Sequence, residues 1–153
     1  SDDLMFIIEK EIARAKRYDT PFSALAFSFV KAKPKIKALE ELVSIDDVLL
    51  AACEQLVETF REVDYIGQIG KNKMLVILPM ISRDKAKIAL ERVLRMLHSE
   101  PLVVKEIPMQ LRVAGVVTEY QENQAADART FARQVSNQLM DMVARVKNIQ
   151  VLF

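Results

Sequence analysis

Apolar residues fall into blocks whose spacing switches between helical and extended. Leu4, Ile7, Ile8, Ile12 and Ala15 recur at helical intervals and predict a first amphipathic helix ending near Tyr18-Asp19-Thr20-Pro21. Phe22 to Val30 is apolar on both faces, as a buried central strand requires. Lys31-Ala32-Lys33-Pro34-Lys35-Ile36-Lys37 alternates lysine with Ala, Pro and Ile and reads as a loop. Beyond Asp46, the residues Leu49, Ala52, Cys53, Leu56, Val57 and Phe60 form one apolar stripe and predict a second helix. Val63 to Ile69 and Met74 to Met80 read as strands joined by the hairpin Gly70-Lys71-Asn72-Lys73. Ser82 is a good N-cap for a third helix that buries Ala86, Leu90, Val93, Leu94 and Leu97. Leu102 to Ile107 and Leu111 to Tyr120 read as strands separated by Pro108. A last helix carries Phe131, Val135, Leu139, Met142, Val143 and Val146, and the apolar Val151-Leu152-Phe153 reads as a short closing strand.

This order of elements predicts an α/β sandwich of the α+β kind, with a mainly antiparallel sheet covered by helices, in the manner of a ferredoxin-like palm. The length of 153 residues suits one domain. The abrupt apolar end suggests a domain excised from a longer, multidomain protein.

Composition removes most common chemistries. Lys and Arg number 22 against 21 Asp and Glu, so nothing marks a dedicated nucleic-acid surface. The chain has only three glycines, where average usage gives about eleven. Neither a dinucleotide-binding fingerprint nor a phosphate-binding loop of the GxxxxGK type occurs. One histidine and one cysteine cannot build a structural zinc site. No metal site and no cofactor is expected. No apolar run is long enough to cross a membrane, and no secretory signal opens the chain. The lone Cys53 suits a reducing compartment, so the expectation is a cytoplasmic domain, on its own or as the cytoplasmic part of a larger membrane-attached protein.

The segment from Phe60 to Pro79 (FREVDYIGQIGKNKMLVILP) resembles the GGDEF domain of diguanylate cyclases. In that family a helix leads to Arg-x-x-Asp, a strand reaches the Gly-Gly-Asp-Glu-Phe hairpin, and an apolar strand ends in Leu-Pro. Further similarity lies in Ala15-Lys16-Arg17-Tyr18 before Pro21-Phe22-Ser23, in Asp46-Asp47-Val48-Leu49, in Ala89-Leu90-Glu91-Arg92-Val93 and in Ala114-Gly115-Val116. The resemblance covers nearly the whole chain. It implies a nucleotidyl-cyclase palm-like fold with a five-stranded central sheet.

The resemblance also implies that the cyclase site has degenerated. The family condenses two GTP molecules into cyclic di-GMP with metal ions held by an Asp of the first strand and an acid of the hairpin. Those positions are Ser28 and Lys73 here, and the second glycine of the hairpin is Lys71. Magnesium requires carboxylate oxygens. An ammonium within ~4 Å of a unit positive charge is repelled by about 4 kcal/mol at an effective dielectric of about 20. Lys71 adds a side chain where the backbone must approach phosphate. The family's guanine-contacting Asn has no match near Ile36 or Lys37, and Asp46 alone keeps the place of its guanine-facing Asp. The expectation is that the domain is not an enzyme and has no catalytic residues.

Arg61-x-x-Asp64 survives, and the resemblance makes it an inhibitory-type site for cyclic di-GMP, with Arg92 as the family's supporting arginine. Arg offers a planar fork to phosphate or a guanine edge, and Asp accepts from guanine N–H groups. The expected function is a non-catalytic signalling domain and receptor for cyclic di-GMP. The alternative is a ligand-free module that dimerises or docks another domain of the same protein.

Plainer roles stand beside each candidate. Arg61 could serve as a helix-terminal cation and Asp64 as its partner. Arg92 could be solvated, and Lys71 and Lys73 could be an exposed turn that discourages edge pairing. Lys31, Lys33, Lys35 and Lys37 read as a solvated loop. His98 reads as a helix C-terminal cation or surface residue. Cys53 and the methionines at 140 and 142 read as core or interface.

Overall fold

The computed structural model describes residues 2–99 and 101–152. Ser1, Glu100 and Phe153 lie outside the described residues, Phe153 being part of the expected closing strand. Helix α1 (Asp2–Tyr18) leads into β1 (Phe22–Pro34), a short 3₁₀ helix (Lys37–Leu42) and α2 (Ile45–Val57). Strands β2 (Tyr65–Gly70) and β3 (Lys73–Pro79) form the hairpin, followed by α3 (Arg83–Ser99). The two-residue β4 (Val103–Val104), the long β5 (Ile107–Glu119) and α4 (Ala128–Leu152) complete the chain.

The five strands lie in the order β2-β3-β1-β5-β4, and every pairing is antiparallel. β1 is central, as its two-sided apolar sequence demands. Its odd-numbered residues Leu25, Phe27 and Phe29 face a core built with Leu49, Leu56, Leu90 and Val93 of α2 and α3. Its even-numbered residues Phe22, Ala24 and Ala26 face a second core with Ile8 of α1 and Phe131, Val135 and Leu139 of α4. The mainly antiparallel, five-stranded palm-like sandwich expected from the sequence is the fold observed.

Glycine matters most at Gly115. A Cβ there would lie 2.7 Å from Leu90 Cδ1 and 3.3 Å from Phe27 Cδ1. Its absence lets α3 settle closely on β5. At the far end of the sheet, Phe22 stacks on Tyr120 with ring centres 5.1 Å apart, and Phe131 meets both edge-on.

Several elements differ from expectation, each for a physical reason. The lysine-rich stretch after Val30 is strand rather than loop up to Pro34: the register shifts between Phe29 and Lys31, and pairing with β5 resumes through Pro34 and Met109. Helix α2 begins at Ile45, ahead of Asp46, because Ser44 and Asp47 form a reciprocal capping box. Pro108 does not separate two long strands. It sits inside β5 just beyond the last rung with β1, Pro34 opposite Met109, and its carbonyl accepts from Lys35 N–H at 3.1 Å, so the missing N–H interrupts no paired stretch; β4 turns back on it through Lys105 and Glu106, both at positive φ (51° and 67°). Where a closing strand was expected, α4 runs on to Leu152, since neither Gly nor Pro interrupts residues 128–152.

Candidate functional site

α2 ends at Val57, so Arg61 stands in the connection to β2 rather than on a helix terminus. Asp64 directly precedes Tyr65, the first residue of β2. The local sequence folds on itself: Asp64 N–H donates to the Arg61 carbonyl (3.0 Å), and Arg61 N–H donates to Asp64 Oδ2 (2.8 Å). The Arg61 guanidinium completes the clasp. Its Nη2 donates to Asp64 Oδ1 (2.8 Å) and to the Pro79 carbonyl (2.9 Å), and its Nε reaches both Asp64 oxygens. The Asp64 side chain is 2% exposed, that of Arg61 49%. The Pro79 bond ties the loop to the end of β3. Among the described residues, both protons of Arg61 Nη1 are left without a protein partner.

Arg61, Asp64 and Arg92 line one hollow of about 150 Å³. Its apolar wall comes from Phe60, Leu78, Ile81 and Ala89. Lys85 also lines it, and sequence reasoning missed that residue. Lys85, Ala89 and Arg92 follow each other at i, i+4 and i+7 on α3, so one helix face delivers both cations, and that spacing could have found Lys85 from Arg92. The hollow thus combines three cations with one carboxylate already held by Arg61. Such an arrangement suits a planar, anionic ligand.

The positions that the resemblance assigns to the cyclase site come together elsewhere. Ser28 of β1 and Lys73 of β3 are directly opposed in the sheet register. Ser28 is buried, with 2% of its surface exposed. The hairpin tip is fastened to β1: Phe29 N–H donates to the Asn72 carbonyl (3.0 Å), and Asn72 Nδ2 donates to the Phe29 carbonyl (3.1 Å). A serine and a lysine therefore occupy these two opposed positions, with Lys71 exposed beside them. Asp46 lies apart from the Arg61 hollow, exposed in the first turn of α2. Its neighbour Asp47 is ion-paired to Lys105 at 3.1 Å. The Asp47 carboxyl is held below its ordinary range by the Ser44 backbone N–H, then by Lys105 and the Ser44 hydroxyl.

Of the two expected readings, His98 is the exposed surface residue and not a helix-terminal cation. Val113 N–H donates to its Nε2 at 3.1 Å, which requires a neutral ring. Partial burial, and then the charge of Arg112, lower its pKa. Cys53 is partly buried against the α2–α3 core. Met142 packs on the α4 core, whereas Met140 is exposed. No helix is long and apolar enough to cross a membrane among the described residues.

Comparison with known proteins adds three findings. The family model described as "Diguanylate cyclase, GGDEF domain" matches residues 7–148. No curated protein sequence matches the chain. Among solved structures, the FimX GGDEF domain from Pseudomonas aeruginosa is similar at a TM-score of 0.72 and 16% identity, over 95% of this chain and 86% of that one. The GGDEF domain of DgcB from Caulobacter crescentus, solved in complex with c-di-GMP, gives 0.69 and 12% identity over 94% of this chain and 81% of that one. Diguanylate cyclase SiaD from Pseudomonas aeruginosa, in complex with its activator SiaC, gives 0.68 and 20% identity over 96% of this chain and 54% of that one.

Proposed function

The chain belongs to the GGDEF family, and from that premise we propose that it is a non-catalytic signalling domain that binds cyclic di-GMP at Arg61, Asp64 and Arg92. The observation that carries this reading is the convergence of those three residues, with Lys85, on one hollow. The free Nη1 donors of Arg61 would meet a phosphate or a guanine edge, and Arg92 and Lys85 would add charge from α3. A hollow of about 150 Å³ admits part of a dinucleotide, so the rest would lie over the exposed face of α3. A related domain, DgcB, has been solved with c-di-GMP.

Loss of the cyclase reaction is supported by the Ser28–Lys73 pairing, which sets an ammonium where the reaction needs a carboxylate. One observation favours a second reading, a docking or dimerisation module without ligand. Asp64 already accepts all of its bonds from Arg61, so the clasp is complete by itself. SiaD, solved with its activator SiaC, is a relative in a protein complex.

Isothermal calorimetry with cyclic di-GMP separates the two. Binding is expected for the wild type and at least about tenfold weaker for Arg92→Ala, which removes a charge-assisted contact without touching the clasp. No heat with high-micromolar ligand, or unchanged affinity in both Arg61→Ala and Arg92→Ala, would refute the receptor reading. Incubation with GTP and magnesium is expected to release no pyrophosphate.

A further inference from the structure

β3 follows β1 only from Phe22 to Ser28, whereas β5 stays with it as far as Pro34. Beyond Phe29 the two strands therefore run on as a ribbon, which β4 widens with Val103 opposite Pro108 and Val104 opposite Ile107. The two faces of this ribbon differ. Ala32, Val104, Met109 and Leu111 turn inward to the core shared with α2 and α3. The two-residue period of a strand puts Lys31, Lys33, Pro108, Gln110 and Arg112, with Val103, on the other face.

That outer face is cationic and carries no acid. Lys31 stands directly opposite Arg112, a pairing of like charges that costs stability until something neutralises it. Lys35 follows past the last rung, where its N–H donates to the Pro108 carbonyl at 3.1 Å, and Lys37 opens the 3₁₀ helix. None of Lys31, Lys33, Lys35, Lys37 and Arg112 is ion-paired among the described residues. The acids that flank the ribbon, Glu106 in the β4–β5 turn and Glu40 and Glu41 on the 3₁₀ helix, are not ion-paired either. Two apolar side chains stand out at this end of the sheet, Ile36 at 60% exposure and Val103 at 54%.

We propose that this face docks on an anionic lipid bilayer, with Ile36 and Val103 entering the headgroup layer and the lysines and Arg112 meeting lipid phosphates. Apolar side chains flanked by lysines suit that boundary, because lysine stems add apolar contact while their ammonium groups stay with the phosphates. Lipid phosphates are mobile, so one can come to each cation, the opposed Lys31 and Arg112 included. The lysines alone would suit a carboxylate-bearing protein, but the exposed Ile36 and Val103 favour a surface with an apolar interior. A nucleic acid fits worse, since the face holds no aromatic side chain to stack on a base.

The test is co-sedimentation with vesicles of equimolar phosphatidylglycerol and phosphatidylcholine, against vesicles of phosphatidylcholine alone. Binding is expected only to the anionic vesicles and should weaken as salt is raised. Lys33→Gln and Lys35→Gln should each lower partitioning about fivefold, whereas Lys87→Gln, exposed on α3, should leave it unchanged. All three positions are exposed, so the variants should keep the wild-type thermal unfolding. The chain has no tryptophan, so the fluorescence of Ile36→Trp reports on that position alone. Its emission should shift to the blue on anionic vesicles and be quenched by brominated acyl chains. No binding to anionic vesicles, equal binding to neutral ones, or an equal loss in Lys87→Gln would overturn the proposal. So would Ile36→Trp emission unmoved by bound vesicles, or tighter binding to polyglutamate or duplex DNA than to vesicles, which would make the face a protein or a nucleic-acid surface.

Discussion

His98 shows how one side chain can take a role that its sequence position conceals. It lies in the last turn of α3, where a cation is the ordinary expectation. What decides its state is Val113, fifteen positions away, whose N–H needs an acceptor. Burial and the neighbouring Arg112 oppose its charging, so its pKa falls below the ordinary 6.5. A histidine with a lowered folded pKa adds stability that is present above the unfolded value and lost as pH falls toward the folded one. Urea unfolding of the wild type should therefore give a lower free energy at pH ~5.5 than at pH ~7.5. His98→Gln should lose this part of the dependence, and because the chain has a single histidine the difference reports on that site alone. Arg61 and Asp64 were legible because their spacing encloses one turn. Lys85 could have been found from Arg92 by its helical spacing, but that their face of α3 meets the Arg61–Asp64 turn is seen only in the fold.

At the level of elements, patterning succeeded where burial is one- or two-sided and failed where a turn or a register shift intervenes. The amphipathic stripes of α1, α3 and α4 and the two-sided apolar β1 are direct consequences of the two cores. The extension of β1 through Lys31–Pro34 was hidden because its lysines are partly or wholly exposed and only the small Ala32 and Pro34 turn inward. The β4–β5 turn was hidden because Lys105 and Glu106 hold positive φ angles that usually select Gly or Asn. Relieving Glu106 of that conformation by Glu106→Gly should stabilise the protein by roughly 0.5–1 kcal/mol, after the entropy cost of glycine, as thermal unfolding can measure. Gly115→Ala should act in the opposite sense. Its Cβ would press on Leu90 and Phe27, and since both neighbours are side-chain ends, the cost should be about 1–2 kcal/mol. The corresponding Tm should fall by several degrees, and a smaller residue at Leu90 should recover part of the loss.

For the whole molecule, the family and its sandwich were legible together, since element order, the Arg61–Asp64 spacing and the hairpin that follows it all lie in the sequence. The hollow of about 640 Å³ beside β5 was not, because its walls come from α3 and α4 and its floor from β5. The position of β1 has a further consequence during synthesis. Phe22 pairs with Pro79 and Ser23 with Glu119, so the first of these five strands to be made meets one neighbour only when β3 follows and the other only when β5 does. Until then a segment apolar on both faces stays uncovered. Such remote pairing slows folding and leaves the nascent chain open to aggregation, so this domain should depend on chaperones early in translation.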